Sequence, residues 1–161
     1  MDFTLQKAKE KDMPGVMQLI QELASFEKEE DAVEITVEDL KRDGFGEHPL
    51  FTCFVAKKDQ EILGIALVYN RYSTWKGKTV HLEDLVVKKE LRGKGIGGAL
   101  YQRVMQFAKE QKVRRVEWNV LDWNTPAVNF YKNSGATILE GWQVVQMDEQ
   151  NLNTFLAKTK V

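Results

Sequence analysis

Residues 91–100 read LRGKGIGGAL, with four glycines from Gly93 to Gly98, cations at Arg92 and Lys94, and an apolar helical pattern beginning at Ile96. Glycine costs conformational entropy, so this density implies that a ligand or another chain segment comes close to the main chain. Backbone N–H groups at a helix start, together with the helix dipole, favour an anion. A phosphate is the expected ligand. No Gly-Lys-Ser/Thr triplet follows, so the segment is not a P-loop. Gly93, Gly95 and Gly98 do match G-x-G-x-x-G, but a dinucleotide fold places that motif against its first strand. Here it lies deep in the chain, and the charged KKELR separates it from Leu85–Val87. Glu117 follows at roughly the fingerprint's spacing, though in mid-strand. A tight turn with no ligand is the plainest alternative.

Working outward, Ile96, Leu100, Val104 and Phe107 or Ala108 define a long amphipathic helix. Thr79–Val87 before it and Val113–Leu121 after it are strand-like, and joining them needs a parallel crossover. Upstream, Phe3–Lys7 alternates, and Val16, Leu19, Ile20 and Leu23 recur at helical spacing after Asp12 and Pro14. A short helix is expected over Thr36–Asp43, closed by Gly44. Phe51–Lys57 and Ile62–Tyr72 form a hairpin around Lys58–Glu61. Downstream, Asn124, Thr125 and Pro126 open a helix that Gly135 ends. Trp142–Met147 is expected as a last strand and Asn151–Lys158 as a terminal helix. The fold class is therefore α+β: a mixed, mostly antiparallel sheet with one parallel unit and flanking helices.

The 161 residues suit one domain spanning 1–161. Lysine and arginine total 23 against 24 acids, a net charge of −1, which gives no reason to expect nucleic acid as a partner. One cysteine, Cys53, excludes an internal disulfide; within FTCFVA it reads as a buried structural thiol. MDFTLQKAKE does not resemble a signal peptide, and the longest apolar run, Ile62–Tyr69, is too short to span a bilayer. No membrane association and a cytoplasmic location are expected. His48 and His81 lie far apart without Cys or His at ligand spacing, so no metal site is expected.

The glycine stretch also matches R-x-x-G-x-G through Arg92, Gly95 and Gly97, and WNTPAVNFYKNSGA follows at Trp123–Ala136. On this pair of motifs the chain resembles the GNAT superfamily of acetyl-CoA-dependent N-acetyltransferases. LIQELASFE, DGFGEHP, LEDLVV, RGKGIG, NFYK and EGW make it most similar to the spermidine/spermine and thialysine acetyltransferase branch.

The resemblance implies that Arg92, Gly93, Lys94, Gly95, Ile96, Gly97 and Gly98 wrap the pyrophosphate of coenzyme A. It also implies that Leu85, Val86 and Val87 pair with the pantetheine on a splayed strand, where the Leu85 N–H would face the thioester oxygen. The residues themselves hint at such a strand, because Val80 and Leu82 alternate while Leu85–Val87 run together, the mark of a bulge. Asn124, Pro126 and Ala127 match further cofactor contacts, and Asn124 suits a helix cap. Tyr131 matches the general acid that protonates the leaving thiolate. Glu83 matches the residue at the substrate amine, which must lose a proton before it can attack.

Strict alternation sends Glu83 and Asp84 to opposite faces, which would prevent them acting as a couple. Glu27 and Glu140 match acids lining a cationic site, whose attraction the EKEED run (Glu27–Asp31) would strengthen. Phe26 stands where the polyamine enzymes have a tyrosine, and Glu117, Trp118 and Asn119 replace another substrate-lining triplet. The implied enzyme moves an acetyl group directly to a primary amine of a small cation, as a homodimer. No activated nucleophile suggests an acyl-enzyme. A protein lysine or N-terminal acetyltransferase and a non-catalytic acyl-CoA-binding regulator are the alternatives.

Overall fold

Residues 2–158 are described in a computed structural model. The chain divides into two compact units, Met1–Asn119 and Val120–Val161. The first is built on a five-stranded sheet in the order of the chain: β1 (Thr4–Lys7), β2 (Thr52–Lys58), β3 (Glu61–Ser73), β4 (Gly77–Val87) and β5 (Val116–Glu117). Every neighbouring pair is antiparallel except β4 and β5. The intervening helix α3 (Ile96–Glu110) supplies the crossover that a parallel pair requires.

The helices α1 (Met13–Glu27) and α2 (Val37–Phe45) cover the opposite face. Two core layers result. Val16, Leu19, Leu40, Cys53, Val55, Ile65, Leu67 and Val86 pack on the α1–α2 side, and Phe54, Ala66, Val68, Val80, Leu82, Ile96, Leu100 and Val104 on the α3 side.

The start of α1 follows from Asp12 and Pro14, although the Asp12 carboxylate does not cap it. It accepts instead from the Lys9 N–H (2.8 Å) and from Lys57 Nζ (2.7 Å), forming a buried ion pair across β2. Burial works against its ionisation, but the Lys57 and Lys9 hydrogen bonds and the charges of Lys57 and Lys11 outweigh it. The carboxyl therefore sits below its ordinary value. Helix α2 opens on a capping box: Thr36 Oγ1 accepts from the Asp39 N–H and the Asp39 carboxylate accepts from the Thr36 N–H. Gly44 does not close α2, which continues to Phe45 with Gly46 as its cap. Gly44 serves packing instead, since a Cβ there would lie 2.5 Å from the Phe51 ring.

The bulge is present, and it sits at Glu83. Leu67 pairs with Asp84 and Val68 with Leu82, leaving Glu83 as the extra residue on β4. One extra residue reverses the alternation. Val80 and Leu82 before it pack on the α3 layer; after it Leu85 and Val87 do so, and Val86 turns to the α1–α2 layer. Glu83 and Asp84 consequently line one cavity. Their expected separation onto opposite faces is corrected: alternation holds only in an uninterrupted strand.

The strand expected over Val113–Leu121 is reduced to Val116–Glu117, because the ladder to β4 holds only at Val80–Val116 and His81–Glu117. In the second unit, α4 (Thr125–Asn133) and α5 (Glu149–Lys158) match the expected helices, the latter starting two residues early. The strand expected over Trp142–Met147 is not formed. Strand-favouring residues do not by themselves supply a partner, and among the described residues no strand pairs with this stretch. Trp142, Val144, Val145 and Met147 are exposed.

Candidate active site

Gly93 (φ +77°) and Gly95 (φ +84°) both adopt the left-handed region that a side chain disfavours, and Gly95 caps the N-terminus of α3. A Cβ at Gly93, Gly95 or Gly98 would meet nothing within 4 Å, so these positions border open space. Their selection rests on backbone shape and on what enters that space. Ile96 is buried and anchors the first turn, while the side of Gly97 meets Val87 Cγ2 at 3.5 Å. The N–H groups of a first helical turn have no partners within the helix, and α3 has no acid there to attract them. Lys94 is exposed beside them. Arg92 is tethered: its Nε donates to the Val87 carbonyl at 3.3 Å, and its guanidinium lies 5.0 Å from the centre of the Phe26 ring. A diphosphate fits this cradle by charge, shape and donor type.

Because β5 pairs with β4 only at Val80 and His81, its ladder stops short of Leu85, Val86 and Val87. On its other edge β4 stays paired with β3 through Val87. Beyond His81 the β5-side edge of β4 has no ladder among the described residues, which suits backbone pairing with an amide-bearing chain.

The acids collect on the α1–α2 side. A cavity of about 310 Å³ is lined by apolar residues, among them Ile20, Leu40, Phe51 and Leu67, and by the acids Glu83, Asp84, Asp39 and Asp43. Asp39 and Asp43 are each ion-paired with Arg42, at 2.6 and 2.7 Å. Burial, then the charges of Glu83 and Glu27, push the Asp84 carboxyl up to about 6. Burial followed by Glu29 likewise raises Glu27. Asp84 is thus close enough to feel both of the other expected acids, Glu83 and Glu27. A larger cavity of about 370 Å³ at the start of α1 contains none of the expected site residues.

Glu117 has a different environment. Its carboxylate is 2.7 Å from an Arg71 guanidinium nitrogen and 2.8 Å from Arg115 Nε, so its charge is already matched. Trp118 meets Tyr101 edge-on at 5.7 Å and is half-buried, and Asn119 ends the first unit. Sequence reasoning missed His81, which stands there only as a rejected metal ligand. It is buried on β4 with Nδ1 3.5 Å from Arg71, Nε2 3.5 Å from a Glu83 oxygen, and its ring against Tyr69. The available signal was its spacing: two residues before Glu83 on a strand, it shares that residue's face. Cys53 is buried, and burial followed by the charges of Asp84 and Asp12 holds its thiol far above the ordinary range. It is inert. Among the described residues no cluster of three or more His, Cys, Asp or Glu could hold a metal, and no helix is long and apolar enough to cross a membrane.

In the second unit, Asn124 caps α4 by accepting from the Ala127 N–H at 3.4 Å, with Pro126 in the first turn. Ala127 and Tyr131, one turn apart, share a face. Tyr131 is buried and packs edge-to-face on Phe130 at 5.5 Å, while its carbonyl accepts from Ser134. Glu140 is exposed.

Known proteins carry the same pattern. The family model described as "Acetyltransferase (GNAT) family" matches residues 14–136. A thialysine N-epsilon-acetyltransferase of Bos taurus is 38% identical over 96% of this chain and 97% of its own. The spermidine/spermine N(1)-acetyltransferase-like protein 1 of Homo sapiens is 36% identical over 93% of this chain and 23% of its own. An integron cassette protein from the mobile metagenome of V. cholerae shares the fold with a TM-score of 0.79, at 24% identity over 99% of each chain. The sheet with its single parallel pair, the glycine cradle and the length of these matches lead to one conclusion: the chain belongs to the GNAT acetyltransferase family.

Proposed function

We propose that the protein transfers the acetyl group of acetyl-CoA to a primary amine on a small aliphatic cation of the thialysine, lysine or polyamine kind. The observation that carries this reading is the cavity where apolar walls end in the adjacent carboxylates Glu83 and Asp84, at the bulge of β4. An aliphatic stem suits the walls and an ammonium suits the acids. The names of the bovine and human relatives point to the same class of acceptor.

Arg92, Lys94 and the first-turn amides of α3 would hold the diphosphate, and the edge of β4 from Leu85 to Val87 the pantetheine. When bound, acetyl-CoA supplies the carbonyl carbon to which the amine nitrogen bonds as the carbon–sulfur bond breaks. Glu83 accepts the ammonium proton, directly or through water, and passes it to solvent. Asp84 and Glu27 would hold the cation, and Tyr131 would give its hydroxyl proton to the departing thiolate and be reprotonated as the amide nitrogen sheds its second proton through water. Such proton transfers typically contribute roughly 10²–10⁴-fold each. The Leu85 N–H is the candidate donor to the oxygen on which charge develops.

Release of free coenzyme A with thialysine, lysine, spermidine and a lysine peptide tests the reading. Turnover of the small amines with negligible peptide activity is expected. Preference for the peptide would move the acceptor to protein lysines, and tight acetyl-CoA binding without turnover would make the protein a regulator.

A further inference from the structure

We propose that His81 is a positioning residue: its Nε2–H donates to one oxygen of the Glu83 carboxylate and leaves the other aimed at the amine. The inference rests on the reading of Glu83 as proton acceptor and adds what directs it. Its basis is a line of groups crossing three strands. On β5, Glu117 lies 2.7 Å from Arg71 and 2.8 Å from Arg115. Held in this way, the Arg71 guanidinium on β3 approaches His81 Nδ1 at 3.5 Å. A guanidinium only donates, so Nδ1 must accept and the imidazole proton resides on Nε2. Nε2 faces a Glu83 oxygen, also at 3.5 Å, a separation that catalytic contacts commonly shorten once substrate is bound.

The surroundings keep this tautomer. His81 is only 6% exposed, and Tyr69 lies along it with ring centres 5.0 Å apart. The charged and titratable groups facing the ring are Tyr69 and Arg71 from β3, Glu83 from β4 and Glu117 from β5, with Arg115 behind the last. Burial disfavours the imidazolium most, Glu83 and Glu117 favour it, and Arg71 opposes it; the net effect lowers the histidine below its ordinary value. The ring therefore stays neutral where the enzyme needs an ionised Glu83. The Glu83 carboxylate also acts on Tyr69: burial first, and then Glu83, raise that hydroxyl above its ordinary value. The Glu83 side chain is itself 51% exposed, which gives the amine proton an exit to water.

The full-length protein is tested as wild type, His81→Phe, His81→Gln, Glu83→Gln and the double variant His81→Phe/Glu83→Gln, each followed by kcat and KM against pH. His81→Phe should lower kcat roughly 10–100-fold and move the acid limb of the profile to higher pH, because the ionised carboxylate loses a donor. KM for acetyl-CoA should not change. His81→Gln, whose amide can donate along the same line, should recover most of the rate. Adding His81→Phe to Glu83→Gln should cost nothing more. A normal rate and profile in His81→Phe beside a slow Glu83→Gln overturns the proposal while leaving Glu83 in place. A normal rate in Glu83→Gln removes both.

Should His81→Phe fail to fold, side-chain 15N NMR of the wild type decides. With only two histidines in the chain, assignment is simple. The Nε2–H tautomer is expected, and an Nδ1–H tautomer or an imidazolium at neutral pH refutes the proposal.

Discussion

Replacing Asp84 by asparagine should make the protein more stable at pH 8, by an amount that disappears in acid. The carboxyl has an ordinary value of 3.8 and rises to about 6 in the fold, through burial first and then Glu83 and Glu27. Between those values the unfolded chain has released the proton and the folded chain has kept it, so folding grows less favourable as pH rises. The favourable contribution is complete below 3.8 and lost above about 6. At 1.36 kcal/mol per pH unit of pKa displacement, the penalty of holding Asp84 ionised reaches about 3 kcal/mol.

Asparagine keeps the shape without the charge, so Asp84→Asn should match wild type near pH 3.5 and exceed it by up to about 3 kcal/mol at pH 8. Urea unfolding of both proteins from pH 3.5 to 8 measures the difference. The same variant should bind a cationic acceptor more weakly, since the proposed cation site would lose one of its carboxylates. A difference constant across the pH range, or an asparagine variant weaker than wild type at pH 8, refutes the reasoning.

Gly95→Ala places a side chain at φ +84° in open space, so it costs only the left-handed penalty of roughly 1–2 kcal/mol. Calorimetry should nevertheless show coenzyme A affinity falling roughly tenfold or more as the added methyl occupies space the diphosphate would enter, and unaltered affinity would clear the loop of its role. Lys57→Met leaves Asp12 ionised and buried without its partner, at a cost of roughly 3–5 kcal/mol in urea unfolding. Asp12 lies below its ordinary value, so its contribution to stability is present above 3.8 and disappears as pH falls through its folded value, the opposite sign to Asp84. Tyr131→Phe should lower kcat roughly 10²–10⁴-fold with unchanged unfolding; a near-normal rate with chemistry limiting removes it as the acid.

The parts of this fold that local pattern could reveal were those that local forces decide. The glycines fixed the turn into α3 because positive φ is a property of one residue, and Ile96, Leu100 and Val104 marked its buried face because helical spacing needs no distant partner. Trp142–Met147 shows the limit: its valines and tryptophan suit a strand, but a strand requires a ladder, and β1 has β2 while this stretch has none among the described residues. Gly44 shows another, since a glycine near a helix end reads as a stop signal until the Phe51 ring is seen against it.

At the site the break in alternation after Leu82 was legible, yet its consequence was missed. A two-residue period assigns neighbours to opposite faces, and only the pairing of Leu67 with Asp84 and Val68 with Leu82 reveals that Glu83 is the extra residue. That insertion moves Asp84 onto the same cavity as Glu83, and their repulsion adds to the burial that raises Asp84. It also leaves His81 on the face it shares with Glu83, while Leu85 returns to the α3 layer. The acid proposed as proton acceptor thus shares one face with His81 and with the acid proposed to hold the cation because Glu83 is inserted between Leu82 and Asp84. Deleting Glu83 would restore the regular strand with Asp84 still opposite Leu67 and facing the cavity, so loss of activity in that variant would assign the proton transfer to Glu83 itself, and retained activity would assign it to Asp84.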